Sequence, residues 1–545
     1  MTHPPSGERR AGLVRLRRRG ATRTASVVWL LLALADGAGP SSAPVPTFLL
    51  DEVHAAEAAK PPKATKRDAE AARTVCASCH LFPAPDVLPR SAWRASLHKM
   101  AILQAGGEMP TWGQAARPTP LSAEMQGILR YYEAEAPLAL RSPEPWPSPD
   151  TAGPSFARHV LTFPDAISPE PAVANVRFLD FDGDSRLEVV VCDMRHGVVL
   201  LGRPYEPKKP LLQLAQIPNP AHATPVDLDG DGVKDLLVAD LGGFLPGDHD
   251  RGQVVWLRGL ETGGFSTFAM GGFPRVADAE AADFDGDGKL DIIVAGFGWR
   301  RTGGITLLQN QTLTYRQPDF GRRVIDERAG PIHVVPVDLN KDGRMDFVTV
   351  IAQEHETVEA LLNEGNGKFR REVLYRGPHP NWGSSGIQVV DFDKDGDLDV
   401  LVTNGDMFDD DILKPYHGIR WLENRGSFPF AEHPLASMAA VHRALAVDLD
   451  GDGDLDVVAC ALTVGPSSAD PKLPSLVWLE QTRPGQWKRH TLELGNLTHA
   501  TLDAADYDGD GDIDLVAGNW IAGRTSETWV EVWENRSAGR PGEPR

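Results

Sequence analysis

Apolar residues recur along this chain in short runs bounded by turn residues. Six-residue runs such as DIIVAG (291–296), DVLVTN (399–404) and DVVACA (456–461) each begin on the last acid of an acidic, glycine-rich stretch. About 20 to 30 residues later most copies carry a second run: VVWLRG, ITLLQN, IRWLEN, VWLEQ or VEVWEN. Runs of this length, rich in β-branched and aromatic residues, read as strands. The acidic stretch is itself a repeat of the form D-x-D-G-D-G-x-x-D. Its seven copies start at Asp180 (DFDGDSRLE), Asp227 (DLDGDGVKD), Asp283 (DFDGDGKLD), Asp338 (DLNKDGRMD), Asp391 (DFDKDGDLD), Asp448 (DLDGDGDLD) and Asp506 (DYDGDGDID), in steps of 47 to 58 residues. A unit of that length cannot bury its own apolar face, so the copies must stack. Four short strands per copy and seven copies predict an all-β seven-bladed propeller over residues 155–537.

The spacing, the loop and the WLEN-like strand resemble the FG-GAP/VCBS repeat family, known from integrin α heads and many bacterial exported proteins. The loop also resembles the first nine positions of an EF-hand loop, where alternating oxygens and one backbone carbonyl suit a calcium ion. In the third copy the side-chain ligands are Asp283, Asp285, Asp287 and Asp291, with the carbonyl of Lys289; Gly288 takes the bend. The equivalent ligands are Asp180, Asp182, Asp184 and Glu188 in the first copy, and Asp227, Asp229, Asp231 and Asp235 in the second. They are Asp338, Asn340, Asp342 and Asp346 in the fourth, and Asp391, Asp393, Asp395 and Asp399 in the fifth. Asp448, Asp450, Asp452 and Asp456, then Asp506, Asp508, Asp510 and Asp514, complete the series, so up to seven Ca²⁺ are expected. The first copy departs most, with Ser185 for the glycine and Glu188 for the last aspartate.

Charge fits that expectation. Lys plus Arg is 55 against 76 Asp plus Glu, a net of −21, and the loops hold much of the excess acid. A basic nucleic-acid footprint is absent, so no nucleic-acid partner is expected. The last copy lacks a fourth strand of its own. SFARHVLTF (155–163) aligns with the outer strand QWKRHTLEL (486–494), which predicts that it completes the seventh blade and removes a free sheet edge.

A second signal lies upstream, Cys76-Ala-Ser-Cys79-His80. C-x-x-C-H is the attachment pattern of c-type haem, two thioethers plus an iron-ligating histidine. The motif follows a helix-like stretch, KATKRDAEAARTV. It precedes one with Trp93, Leu97 and Met100 at i, i+4 and i+7, and then SAEMQGILRYYEAEAP, where Ser122 can cap. This order resembles small class I cytochromes c over residues 64–137, a small all-α domain with one covalent haem c. The resemblance implies a methionine as sixth iron ligand: Met109 in GGEMPTWG, or Met100 on the middle helix, with His98 or an open position as further options.

Residues 9–23 carry seven arginines and precede the apolar run SVVWLLLALA (26–35), a secretory signal too short for a membrane span. The expected organisation is therefore signal and start of the mature chain over 1–43, a flexible segment over 44–63, the haem domain over 64–137, a proline-rich linker over 138–154, the propeller over 155–537 and a tail over 538–545. The expected location is the periplasm or another extracytoplasmic space. Cys192 and Cys460 occupy equivalent strand positions in non-adjacent blades and read as buried free thiols.

Four copies place a histidine just before or early in the first strand: His222, His333, His442 and His499. His196, His355, the run Asp409-Asp410-Asp411 and Trp520 fall between the second and third strands. Such groups can ligate transition metals or do acid–base chemistry around a channel mouth. The function expected is extracytoplasmic electron transfer, with the propeller docking a redox partner protein or a small-molecule or carbohydrate substrate. The alternative is a propeller enzyme, an oxidoreductase or a sugar lyase or dehydratase, with the haem as electron outlet. A third reading is an adhesion or scaffold module.

Overall fold

Thr65 starts the first helix, α1 (Lys66–Cys76), by a reciprocal cap. Its hydroxyl accepts from Asp68 N–H at 3.2 Å, and the Asp68 carboxylate accepts from Thr65 N–H at 3.0 Å. Helix α2 (Arg90–Gln104) follows Pro89, and α3 (Ala123–Glu135) is capped by Ser122, whose hydroxyl accepts from Met125 N–H. The computed structural model describes residues 63–107, 120–149, 154–365, 367–408 and 410–537. The signal, nearly all of the flexible segment, Met109, Asp409 and the tail lie outside the described residues. The apolar stripes of the three helices meet in one core. Ala72 and Cys76 come from α1, Trp93 and Leu97 from α2, and Met125, Ile128, Leu129 and Tyr132 from α3. Trp93 stacks on Tyr132 with ring centroids 3.7 Å apart, and Arg130 ties α3 to Asp68 of α1 at 2.8 Å.

Each acidic repeat folds as one four-stranded antiparallel sheet, giving seven blades. The innermost strands are Val173–Leu179, Pro220–Val226, Val276–Ala282, Pro331–Val337, Ser384–Val390, Val441–Val447 and His499–Ala505. Each neighbours the next, and the last neighbours the first, so the ring is closed. The strand after each acidic loop is buried at all six positions in every blade. That explains runs such as DIIVAG: a strand covered on both faces has no need to alternate. Outer strands such as Leu212–Gln216 are partly exposed, this one with no position fully buried.

The seventh sheet takes its fourth strand from the other end of the ring. Phe156–Leu161 pairs antiparallel with Val530–Asn535, from Phe156 opposite Asn535 to Leu161 opposite Val530. Residues 138–149 form no helix or strand and are pinned to the ring. Trp146 is buried, donates from Nε1 to the Ser437 carbonyl at 3.0 Å, and lies under the Arg489 guanidinium. Thr491 donates to the Pro147 carbonyl at 2.6 Å.

The helices also touch the ring. Ile412 and Tyr416 pack against the helical core, and the Tyr416 hydroxyl donates to the Val87 carbonyl at 3.1 Å. Arg301 donates to the Gly107 carbonyl at 2.7 Å. From Pro61 onward the chain clusters as one compact unit. Among the described residues no helix is long and apolar enough to cross a membrane.

Candidate functional site

Three sites emerge, one on the helices, one on the rim of the ring and one at its centre. Cys76 ends α1 as a buried thiol, Cys79 is exposed, and both are free. Burial pushes the Cys76 thiol up. His80 places Nδ1 2.8 Å from the Leu81 carbonyl oxygen. A carbonyl only accepts, so Nδ1 carries a proton in this contact, and in the neutral tautomer that matches it Nε2 is the lone-pair nitrogen. Met100 is half-buried against the helical core, and Met125 is deeply buried within it. His98 holds a buried Nδ1 with no hydrogen-bond partner.

The acidic loops join the first and second strands of each blade and lie on one face. In the third, Asp283 accepts from Gly286 N–H and Gly288 N–H, Asp285 from Asp287 N–H, and Asp287 from Lys289 N–H. These bonds gather the carboxylates: donor oxygens of Asp283, Asp285 and Asp291 lie within 4.8 Å of one another, as do those of Asp180, Asp182 and Asp184, and of Asp227, Asp229 and Asp231. The ninth acid has a second task. Asp399 accepts from Phe392 N–H at 3.1 Å and from Asn424 N–H at 2.7 Å, which ties the loop to the third strand. Asp235, Asp291, Asp346, Asp456 and Asp514 make the same pair of bonds. Burial, with neighbouring loop acids, pushes Asp291, Asp399 and Asp456 up to about 6 and Asp514 to about 7. Asp391 Oδ1 and Asp448 Oδ1 are buried with no hydrogen-bond partner.

The loops are not equivalent. In the first, Ser185 adopts φ +71° where other copies use glycine, and Glu188 reaches inward to Phe181 N–H and the Tyr205 hydroxyl. In the second, the Arg258 guanidinium sits between Asp229 and Asp231. Arg344 pairs with Asp342 in the fourth. Arginines therefore compete for oxygens that the sequence pattern assigns to a cation.

At the centre, every innermost strand slips register by one residue near its start. The residue past each slip stands five positions before the first loop aspartate, or before Asp338 and Asp391 alike: Asn175, His222, Asp278, His333, Gly386, Arg443 and Thr501. A bulge of this kind re-aims a side chain. His222 and His333 therefore occupy equivalent positions on blades two and four, and Asp278 is their equivalent on blade three. His222 Nδ1 is 2.6 Å from Asp278 Oδ1 and 4.0 Å from Glu280 Oε1, and His333 Nδ1 is 3.4 Å from Asp278 Oδ2. Thr224 donates to Glu280 at 2.9 Å and Val334 N–H to Asp278 Oδ2 at 3.1 Å. Burial alone raises the Asp278 carboxyl, but His222 and His333 outweigh it and hold it far below the usual range. Burial and Asp278 push Glu280 up, and burial pushes His333 down.

The other two histidines do not join them. His442 is the bulged residue itself; it turns to the Ala500 carbonyl at 2.8 Å, and burial lowers it to about 4. His499 lies before its bulge and is fully buried, held by Asn519 at 2.8 Å and Glu493 at 2.7 Å. The four imidazoles thus split into one meeting pair and two separate residues.

His196 bridges Asp193 and the Ser168 carbonyl, and His355 stands 3.9 Å from Glu354. Asp410 takes Lys414, and Asp411 takes Thr463. Trp520 stacks on Phe244 and meets Phe408 edge-on, and Phe408 in turn meets His442, so rings from four blades gather at this face. Histidine alone does not mark this group in the sequence, because blade three carries an aspartate at offset five and a glutamate at offset three. Reading the offset-five residue across all seven copies finds Asp278 directly.

The FG-GAP-like repeat family matches residues 180–238, 227–294 and 338–402. The chain thus carries FG-GAP repeats on a seven-bladed β-propeller. Two solved structures of BBS1N in complex with ARL6DN, one soaked with mercury and one with lead, are similar to it. Their identities are 12% and 11%, over 71% and 70% of this chain and 100% and 99% of theirs, each at a TM-score of 0.39. No curated protein matches the chain.

Proposed function

We propose that this chain is an exported c-type cytochrome whose haem domain is docked on a calcium-binding propeller, and that it transfers electrons outside the cytoplasm. The observation that carries this reading is the His80 ring, whose Nδ1 faces a carbonyl and whose Nε2 is kept for a metal, beside two free thiols at the end of α1. Cys76 and Cys79 would hold the haem by thioethers and His80 would ligate its iron; the bound group supplies one-electron exchange. The chain's own part is to fix the His80 tautomer and to pack Trp93, Leu97 and Tyr132 as a dry floor beneath the motif. Met100 is the described methionine available as sixth ligand, and Met109 is the alternative. The acidic loops would hold Ca²⁺, a reading supported by the orphaned buried oxygens of Asp391 and Asp448. The ring would present a redox partner or substrate to the haem domain through the Tyr416 and Arg301 contacts. A second reading, a channel enzyme, draws its support from the His222–Asp278–His333 group.

Acid–acetone extraction tests the first reading. Wild-type chain keeps its haem with the protein pellet, and Cys76→Ala with Cys79→Ala loses it. Release of all haem from the wild-type chain, or none to release, overturns the proposal.

A further inference from the structure

The group on blades two and three is more than an ion pair. Asp278 is 2% exposed, and no hydrogen bond reaches its Oδ1, although His222 Nδ1 stands 2.6 Å away. The imidazole is close but out of line for a hydrogen bond, so this buried oxygen keeps a lone pair to offer a further partner. Its other oxygen is already held by Val334 N–H, with His333 beside it, so the carboxylate cannot turn to satisfy Oδ1 elsewhere. Glu280 is oriented toward the same point by the Thr224 hydroxyl. Donor atoms of His222, Asp278 and Glu280 lie within 4.8 Å of one another. A tetrahedral ion with bonds of about 2.1 Å sets its donors about 3.4 Å apart. The separations from His222 Nδ1, 2.6 and 4.0 Å, bracket that value.

We propose that His222 Nδ1, Asp278 Oδ1 and Glu280 Oε1 bind one divalent transition-metal ion at the centre of the ring. The donor set of one imidazole and two carboxylates suits a first-row ion of the zinc class better than calcium, which takes oxygens only. Three protein donors leave a position for water or a ligand, as in catalytic rather than structural zinc sites. Val334 N–H and Thr224 act as the outer partners that aim the carboxylates. His333 braces Asp278 from the far side. The site is distinct from the rim loops and from the C-x-x-C-H motif, and stands whether or not either is filled.

The test uses the full chain, stripped by chelator and then dialysed against zinc in excess calcium so that the acidic loops are occupied. Metal counting is expected to find one zinc per wild-type chain. Glu280→Gln and His222→Ala are expected to bind one fewer, with affinity reduced at least about 100-fold, the upper end of what losing an outer partner costs. Far-UV spectra establish that these variants fold. Zinc-edge X-ray absorption on the wild-type chain needs no variant: one imidazole with oxygen donors at about 2.0–2.2 Å is expected. A sulfur shell, an oxygen-only shell, no retained zinc, or folded variants that bind as much zinc as the wild type each overturn the proposal.

Discussion

Asp399→Ala and Asp395→Ala should separate the two tasks carried by one acidic loop. Asp399 is buried and accepts two backbone N–H groups, from Phe392 at 3.1 Å and Asn424 at 2.7 Å. Truncation leaves both donors buried without acceptors, at about 1–3 kcal/mol each, so about 2–6 kcal/mol in total. That cost is present whether or not a cation is bound. Asp395 is exposed and, among the described residues, accepts from Asp397 N–H at 2.8 Å within its own loop. Without calcium its loss should fall within about 0.5 kcal/mol, as for other surface positions. If the loop holds calcium as proposed, an ion at 100 times its Kd would stabilise the fold by about 2.7 kcal/mol, and either variant would forfeit part of that. The assay is thermal unfolding of wild type and both variants, in chelator and in excess calcium. Asp399→Ala should melt low in both media, Asp395→Ala only in calcium. A chelated Asp399→Ala ring that melts with the wild type, or an Asp395→Ala defect as large in chelator as in calcium, would refute the reasoning.

Two further outcomes follow from the same geometry. In chelator, Asp291, Asp399 and Asp456 are held up to about 6 and Asp514 to about 7, above the ordinary 3.8, so the folded ring binds protons more tightly than the unfolded chain. Its stability should therefore fall as pH rises from about 4 to 7, and the chelated ring should melt higher at pH 5 than at pH 7.5; the reverse order would show that other groups govern the window. Trp146→Ala removes the donor to Ser437 and the ring beneath Arg489, so limited proteolysis should nick residues 138–149 several-fold faster while the blades stay intact; an unchanged rate would mean that the segment is held by other contacts.

The blades were readable because their signal is redundant. Seven loops at nearly even steps, each followed by a strand buried on both faces, leave little freedom in the architecture. The closing strand was readable too, since Arg158 and His159 of SFARHVLTF match the outer strand of blade six, and in the structure His159 pairs with Glu534 at 2.7 Å. The central group was only half readable. His222 and His333 share an offset of five from the first loop acid, whereas His442 and His499 stand at six and seven. Side chains in a strand alternate faces, and the bulge adds a further turn, so one or two residues of offset decide whether a histidine faces the centre or the sheet. The pinning of the linker was not readable. Proline content predicts an extended segment, but only tertiary packing reveals that Trp146 has a seat beneath Arg489. The same holds for Arg258, whose entry into the second loop depends on a strand 27 residues downstream of Asp231.

The pairing of Phe156–Leu161 with Val530–Asn535 orders events in time as well as space. Synthesis at roughly 5–20 residues per second leaves the early strand waiting on the order of tens of seconds for its partner. Such distant pairing is slow to find, because loop closure must precede any reward from contact. A Trp146 seat filled before blade seven forms would shorten that search. Ser437 lies on the outer strand of blade five, and Arg489 and Thr491 on that of blade six, so the anchor for the linker exists before blade seven is made. With Trp146 and Pro147 in place, the waiting strand would begin only nine residues further on, close to the gap that the last three strands enter. The proline-rich segment would then act as a tether that turns a search across the whole ring into a local one.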